Sequence, residues 1–269
     1  MVPANIDADD STLYLPRILC LHGGGTNAII FHAQCRSLEK ALKPTFRLCF
    51  AEAPFHSQPG SDVTSVYKDF GPFKAWLCWQ PEYPDRLVKN AVEQIEGSLR
   101  NAMSEDDEKG ATGEWVGLMG FSEGAKMCAS LLYMQQMCAT KFGGYSSIGP
   151  SFQFAVLIAG RAPLVSMTIQ LGNTTGLIDE ASMSDAICSD DHGLTIMPEL
   201  LELPTIHVHG MRDPGLHLHR RLLHQYCDEG RTRLIEWDGD HRVPIKTKEV
   251  AAVVEEIISV FRDTQVLRG

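Results

Sequence analysis

Gly120-Phe121-Ser122-Glu123-Gly124 sets a serine between two glycines in the pattern G-x-S-x-G. Composition alone produces that pattern in roughly one chain of this length in ten, so its surroundings decide its meaning. The apolar run WVGLM (115 to 119) precedes it, and apolar residues recurring at three and four follow it from Glu123 to Met137. The serine is therefore expected on a sharp turn from strand to helix, a nucleophile elbow. Small residues at both glycine positions let the two segments approach closely. The hydroxyl is held at the carboxyl edge of a sheet, facing the positive end of the helix.

A serine hydroxyl attacks poorly without a base, so the elbow calls for a histidine and an acid that orients it. Asp213 follows the strand-like TIHVH (205 to 209) in the turn HGMRDP, and His241 follows RLIEW (233 to 237) in WDGDHRVP. The chain order Ser, Asp, His is that of α/β-hydrolases. Asp238 and Asp240 stand too near His241 in sequence to reach back to its ring and are expected to shape the turn. Asp179, Asp185, Asp190 and Asp191 could substitute for Asp213, but none follows a strand at a comparable distance from the histidine. His207, His209, His217, His219 and His224 form a second concentration of imidazole, with no spaced Cys or carboxylate set beside it. Packing or surface roles are expected of them, and no metal and no cofactor.

Attack on a carbonyl also needs backbone donors for the oxyanion. His22-Gly23-Gly24-Gly25 directly follows the apolar RILCL (17 to 21), and no Cβ in such a turn obstructs its amides. The expected pair is the amide of Glu123 with that of Gly24, Gly25 being the alternate. A phosphate loop is the rival reading of three glycines after a strand. It lacks both a GKS/T ending and the G-x-G-x-x-G spacing.

These residues need a scaffold. Strand-like runs at 17 to 21, 46 to 51, 115 to 119, 154 to 159, 205 to 209 and 233 to 237 alternate with helical periodicity at 29 to 42, 86 to 103, 123 to 137, 217 to 228 and 246 to 262. Such alternation implies an α/β fold, a mainly parallel sheet of about six strands with helices on both faces. No repeat or linker divides residues 1–269, so a single domain is expected. Two connections are long. Residues 52–84 carry Phe70, Phe73, Trp76 and Trp79 at three- and four-residue spacing, either a short helix packed on the core or an apolar wall that binds substrate. Residues 161–203 are a candidate lid or specificity segment.

Composition excludes other classes. The 269 residues carry 24 basic and 34 acidic side chains, a formal charge of −10, with no Lys or Arg run. Nucleic acid and anionic membrane are thus poor partners. The first residues have acids where a signal peptide needs bases, and eight dispersed cysteines without a CxxC pair read as reduced thiols. A cytoplasmic location is expected.

Taken together, LHGGGTN, FAEAPF, GFSEGAKM, HVHGMRDP and DGDHRVP resemble the fungal family of small serine hydrolases with the α/β-hydrolase fold, over about Arg17 to Phe261. HGGGTN and FGPFKAWLCW are most similar to the thioesterase and esterase subgroup of polyketide clusters, the lovastatin and citrinin pathways among them. The resemblance implies Ser122, Asp213 and His241 as nucleophile, acid and base. It also implies release or editing of an acyl thioester held on the acyl-carrier domain of a polyketide synthase. Members often show GFSQG where this chain has Glu123. A carboxylesterase for short or aryl oxygen esters is the alternative. A ligand-binding protein that merely retains the fold is a third reading, opposed by the complete triad.

Overall fold

The computed structural model describes residues 10–60, 63, 66–77, 84–142, 149–165 and 199–266, with backbone alone at 84–90, 141 and 142. Asp179, Asp185, Asp190, Asp191 and Trp79 lie outside the described residues, as does most of the candidate lid segment. Six parallel strands form one sheet: β1 (Arg17–Leu21), β2 (Arg47–Ala51), β5 (Trp115–Phe121), β6 (Phe154–Ile158), β7 (Thr205–Gly210) and β8 (Thr232–Trp237). Their order is β2-β1-β5-β6-β7-β8. A separate antiparallel pair, β3 (Phe55–His56) with β4 (Lys74–Ala75), stands where a helix or an aromatic wall was expected.

Helices cover both faces, and the strand pleat shows why. Leu19, Leu21, Leu118 and Leu157 pack on one side with Ile95 and Leu99 of α2 (Pro84–Glu108), Met127 and Leu131 of α3 (Glu123–Phe142) and Leu222 of α4 (Leu216–Tyr226). Their neighbours Ile18, Cys20, Val156 and Ile158 pack on the other, with Phe31 and Leu38 of α1 (Ala28–Leu42) and Val253 and Ile257 of α5 (Thr247–Val266). Successive side chains on a strand point to opposite faces, so an unbroken apolar run such as RILCL serves two cores at once.

The outer strands differ. Among the described residues β2 pairs only with β1, and Arg47 at its start is forked onto Asp106 (Nη2 to Oδ1, 2.7 Å), which also takes Arg17. Arg17 in turn stacks 4.1 Å from the Trp115 ring centroid. Among the described residues β8 pairs only with β7, and its Arg233 faces Glu256 and Asp263 of α5. Charge thus marks both margins of the sheet.

β1 is where the winding reverses: the chain leaves it for β2 on one side and returns to β5 on the other. Loops leaving the carboxyl ends of β1 and β5 diverge there and open a crevice. Close approach keeps it tight. A Cβ on Gly124 would fall on the carbonyl oxygens of Leu21 and His22, and one on Gly120 on the backbone of Gly124 and Ala125. Gly124→Ala is expected to destabilise the protein by about 1–3 kcal/mol through this overpacking, read as a lowered denaturation midpoint.

Behind the crevice, His207 and His209 project from one face of β7, and His219 of α4 covers His209 with ring centroids 5.4 Å apart. All three are fully buried. Burial therefore holds them neutral, with pKa values pushed down to about 3, 4 and 3. An unfolded imidazole binds its proton near pH 6.5, so unfolding takes up protons below that pH, and stability is full above pH 6.5 and falls toward pH 4. Each residue is expected to contribute a slope of about 1.4 kcal/mol per pH unit. Urea titrations between pH 6.5 and 4.5 should show His207→Asn relieving about one proton of that slope. An unchanged slope in that variant would contradict the burial argument.

Candidate active site

The elbow is built as the G-x-S-x-G pattern requires. Ser122 follows the last residue of β5 with φ of 53°, and its amide donates to the Ile158 carbonyl of β6. A non-glycine residue in the left-handed region is strained, and it persists here because β5, β6 and the first turn of α3 fix it from three sides. The strain turns the hydroxyl out of the sheet. Ser122 Oγ lies 3.0 Å from His241 Nε2, and His241 Nδ1 lies 2.6 Å from Asp213 Oδ2. A carboxylate only accepts, so His241 Nδ1–H donates to Asp213 and Nε2 is left to accept the serine proton.

Asp213 sits in the turn after β7, fully buried at the carboxylate. Burial alone would raise its pKa. The hydrogen bonds from His241 and from the Gly215 amide (2.7 Å to Oδ1) outweigh that and hold the carboxyl down at about 2. Its Oδ2 also stands 3.5 Å from His219 Nε2. These three groups lie close enough to suggest metal ligation. Two ligands of one tetrahedral ion are about 3.3 Å apart, whereas the Asp213 to His241 separation is that of a hydrogen bond. Asp238 and Asp240 turn away from the ring, to Arg212 and Arg242.

The glycine turn after β1 is pinned by its neighbours. His22 Nδ1–H donates to the Gly23 carbonyl (2.8 Å), and its Nε2 accepts from the Ala53 amide (3.1 Å). Gly25, with φ of 70°, spends its amide on the Lys74 carbonyl of β4 (2.9 Å). That removes Gly25 as an oxyanion donor. Among the described residues no hydrogen bond engages the amides of Gly24 or Glu123. Asn27 accepts from the Ile30 amide at the start of α1 and donates to the carbonyls of Phe70 and Pro72.

The Glu123 carboxylate folds back beside this turn, where Oε2 accepts from the Trp76 amide at 3.0 Å. Burial pushes its carboxyl above the usual range, and the donors and the nearby Lys126 oppose the rise. It lies against Gly24 so closely that a Cβ there would meet Oε2 at 2.8 Å. The charge that the motif introduces is thus turned inward, onto β4.

A cavity of about 1110 Å³ opens over Ser122 and His241, with Val63, Val66 and Tyr67 as part of its wall. Among the described residues, the aromatic wall expected from Phe70, Phe73 and Trp76 does not form. Trp76 is fully buried in the core with Nε1–H bound to the His22 carbonyl (2.9 Å), while Phe70 is exposed and packs on Tyr67. Neither these two nor Phe73 lines the cavity. Three- and four-residue spacing aligns side chains on a helix, and here the backbone is turn and two-residue strand. The sequence reading missed Val63, Val66 and Tyr67, which carry no periodic signal. It also passed over Arg161, which lines the same cavity just beyond β6.

Comparison with known proteins bears on the family and the fold. The family model described as "Serine hydrolase (FSH1)" matches residues 13–253. The chain is 56% identical to "Esterase pigG" of Monascus ruber over 99% of both chains. It is 53% identical to "Esterase dbaE" of Emericella nidulans, over 99% of this chain and 97% of that one. Among solved structures, an esterase of Pyrobaculum calidifontis superposes with a TM-score of 0.51 at 18% identity, over 92% of this chain and 76% of that one. Esterase PE8 gives 0.50 at 15% identity, over 92% and 93%. At such identities the likeness concerns the fold alone, which is that of the α/β-hydrolases. The sequence matches go further: the chain belongs to the FSH1 family and is a serine hydrolase.

Proposed function

We propose that the protein cleaves an acyl thioester through an acyl-enzyme on Ser122, acting in trans to release or edit a polyketide chain carried on a synthase. The observation that carries this reading is the hydrogen-bonded line from Ser122 through His241 to Asp213, with two unengaged amides beside it. His241 Nε2 takes the serine proton as Oγ attacks the carbonyl. Asp213 holds the ring in the tautomer that leaves Nε2 free and stabilises the imidazolium that forms. The amides of Gly24 and Glu123 receive the oxyanion, aided by the amino end of α3.

Collapse expels the thiol with the proton from His241. The imidazole then activates water against the acyl-serine, and the acid leaves. A thiolate needs little protonation to depart, so deacylation sets turnover. The cavity's size, above the usual range for small-molecule sites, suits a long acyl chain. The buried thiols of Cys20, Cys35, Cys49, Cys128 and Cys227 suit a reducing, cytoplasmic setting. The second reading, a carboxylesterase, is favoured by the esterase names of the relatives.

Ser122→Ala is expected to lower kcat/KM by a factor on the order of 10³ or more, and Asp213→Asn by about 10³–10⁴. Wild-type turnover in Ser122→Ala would remove the nucleophile from the scheme. The same acyl group offered as a thioester and as an oxygen ester separates the two readings. A thioester preference with a burst of thiol in the first turnover is expected. Equal or faster cleavage of the oxygen ester would favour the esterase.

A further inference from the structure

The cavity over Ser122 collects more cations than acids in a chain of net charge −10. Three of these cations are matched at its rim: Arg212 by Asp238, Arg242 by Asp240 at 3.0 Å, and Lys246 by Glu249 at 3.6 Å. Arg36 lies on α1 and donates to the Ala33 carbonyl of its own helix. Arg161 is different.

Its Nε is buried and has no hydrogen-bond partner. Nη2 stands 3.9 Å from Asp213 Oδ1, outside hydrogen-bond reach, and that oxygen already accepts from Gly215. Among the described residues, no hydrogen bond engages any of its five donors. Nε so placed loses hydration without replacing it, while the rest of the fork stays open to an anion in the cavity. Nor is it adrift. The chain before it is packed, Gly160 lying close to Leu222 and Ala125, and the Ala162 amide after it donates to the Leu218 carbonyl. The fork lies flat over the turn after β7, where a Cβ on Gly215 would meet Nε at 2.8 Å. Backbone packing holds it, and its side chain remains 38% exposed in a cavity that Ser122 shares. Lys126, one turn into α3, is buried, and that burial, with a smaller contribution from repulsion by Arg161, lowers its pKa to about 8.

We propose that Arg161 is a specificity residue for a substrate bearing an anionic oxygen group, which its guanidinium takes while the scissile carbonyl lies at Ser122. The proposal rests on the acyl-enzyme reading above. The anion belongs either to the acyl chain, as a carboxylate, or to the leaving group, as the phosphate of a pantetheinyl thiol. Arg presents a planar fork matched to both.

Two substrate pairs distinguish the sources. The acyl arm compares the mono-p-nitrophenyl ester of glutaric acid with its neutral counterpart, p-nitrophenyl valerate. The leaving-group arm compares the butyryl thioester of 4′-phosphopantetheine with that of N-acetylcysteamine. In wild type, kcat/KM should favour the anionic member of one pair. Arg161→Leu should reduce that ratio by 30-fold or more, and Arg161→Lys should restore part of it. Fluorescence titration of Ser122→Ala with glutarate and with 4′-phosphopantetheine reads binding without turnover, and Arg161→Leu in that background should abolish the response to the matching ligand. Ratios the same in wild type and Arg161→Leu for both pairs would overturn the proposal, since a residue that only supports Asp213 slows neutral and anionic substrates alike. Turnover surviving in Ser122→Ala would instead strike the acyl-enzyme reading, and the binding titration would still decide the role of Arg161.

Discussion

The backbone contact between the start of α3 and the end of β1 is the constraint from which the site follows. Gly124 rests on the carbonyls of Leu21 and His22, and Gly120 on Gly124 itself. No side chain fits at either place. Because the two segments touch there, the turn after β5 and the turn after β1 arrive at one point, and Ser122 and Gly24 face a shared space. The positive φ of Ser122 is the local cost of making that turn within one residue. Much of what lies around it braces this contact. Lys74 holds the glycine turn from outside, Asn27 fastens the neighbouring segment at Phe70 and Pro72, and His22 and Trp76 hold the turn from below.

Charge is distributed around that point by environment rather than by residue type. Asp213 keeps its negative charge because two N–H groups point at it. Directly behind it, three imidazoles stay neutral because they are out of water. A charged His219 at 3.5 Å would compete with His241 for the same carboxylate oxygen. Its neutrality leaves the field of Asp213 directed at one ring. Glu123 shows the opposite economy of space: its amide makes no hydrogen bond among the described residues, and its side chain is taken up in fastening the chain just after β4.

Much of this was legible in the sequence wherever local signals agree with tertiary demands. The central strands β1, β5, β6 and β7 appear as apolar runs, because a parallel sheet covered on both faces imposes no alternation, whereas the edge strand β8 keeps polar residues and no fully buried position. The helix starts at Glu123 and Thr247 lie within a residue of the periodic reading. Glycine spacing and chain order pointed to Ser122, Asp213 and His241, which the fold brings within hydrogen-bonding distance. Residues 52–77 were misread for a physical reason. Aromatic spacing carries facing information only if the backbone is known to be helical, and Pro54, Pro59 and Pro72 make it irregular. The histidines of β7 were expected to have packing roles, but their complete burial depends on α4 covering them, which no local pattern states. Arg161 was illegible because its meaning lies in its place beside Ser122 and Asp213 and in the absence, among the described residues, of any hydrogen bond to its fork.

The guarded margins of the sheet bear on how the protein behaves in a crowd. A parallel sheet ends in two strands whose outward N–H and C=O groups could recruit a strand from another molecule. In this chain each margin carries an arginine already engaged near its start, Arg47 by Asp106 and Arg233 by Glu256 and Asp263. A neighbour that tried to extend the ladder would have to break into these ion pairs and bury charge. Pairing of a further strand at either margin would therefore carry the cost of drawing charge out of water.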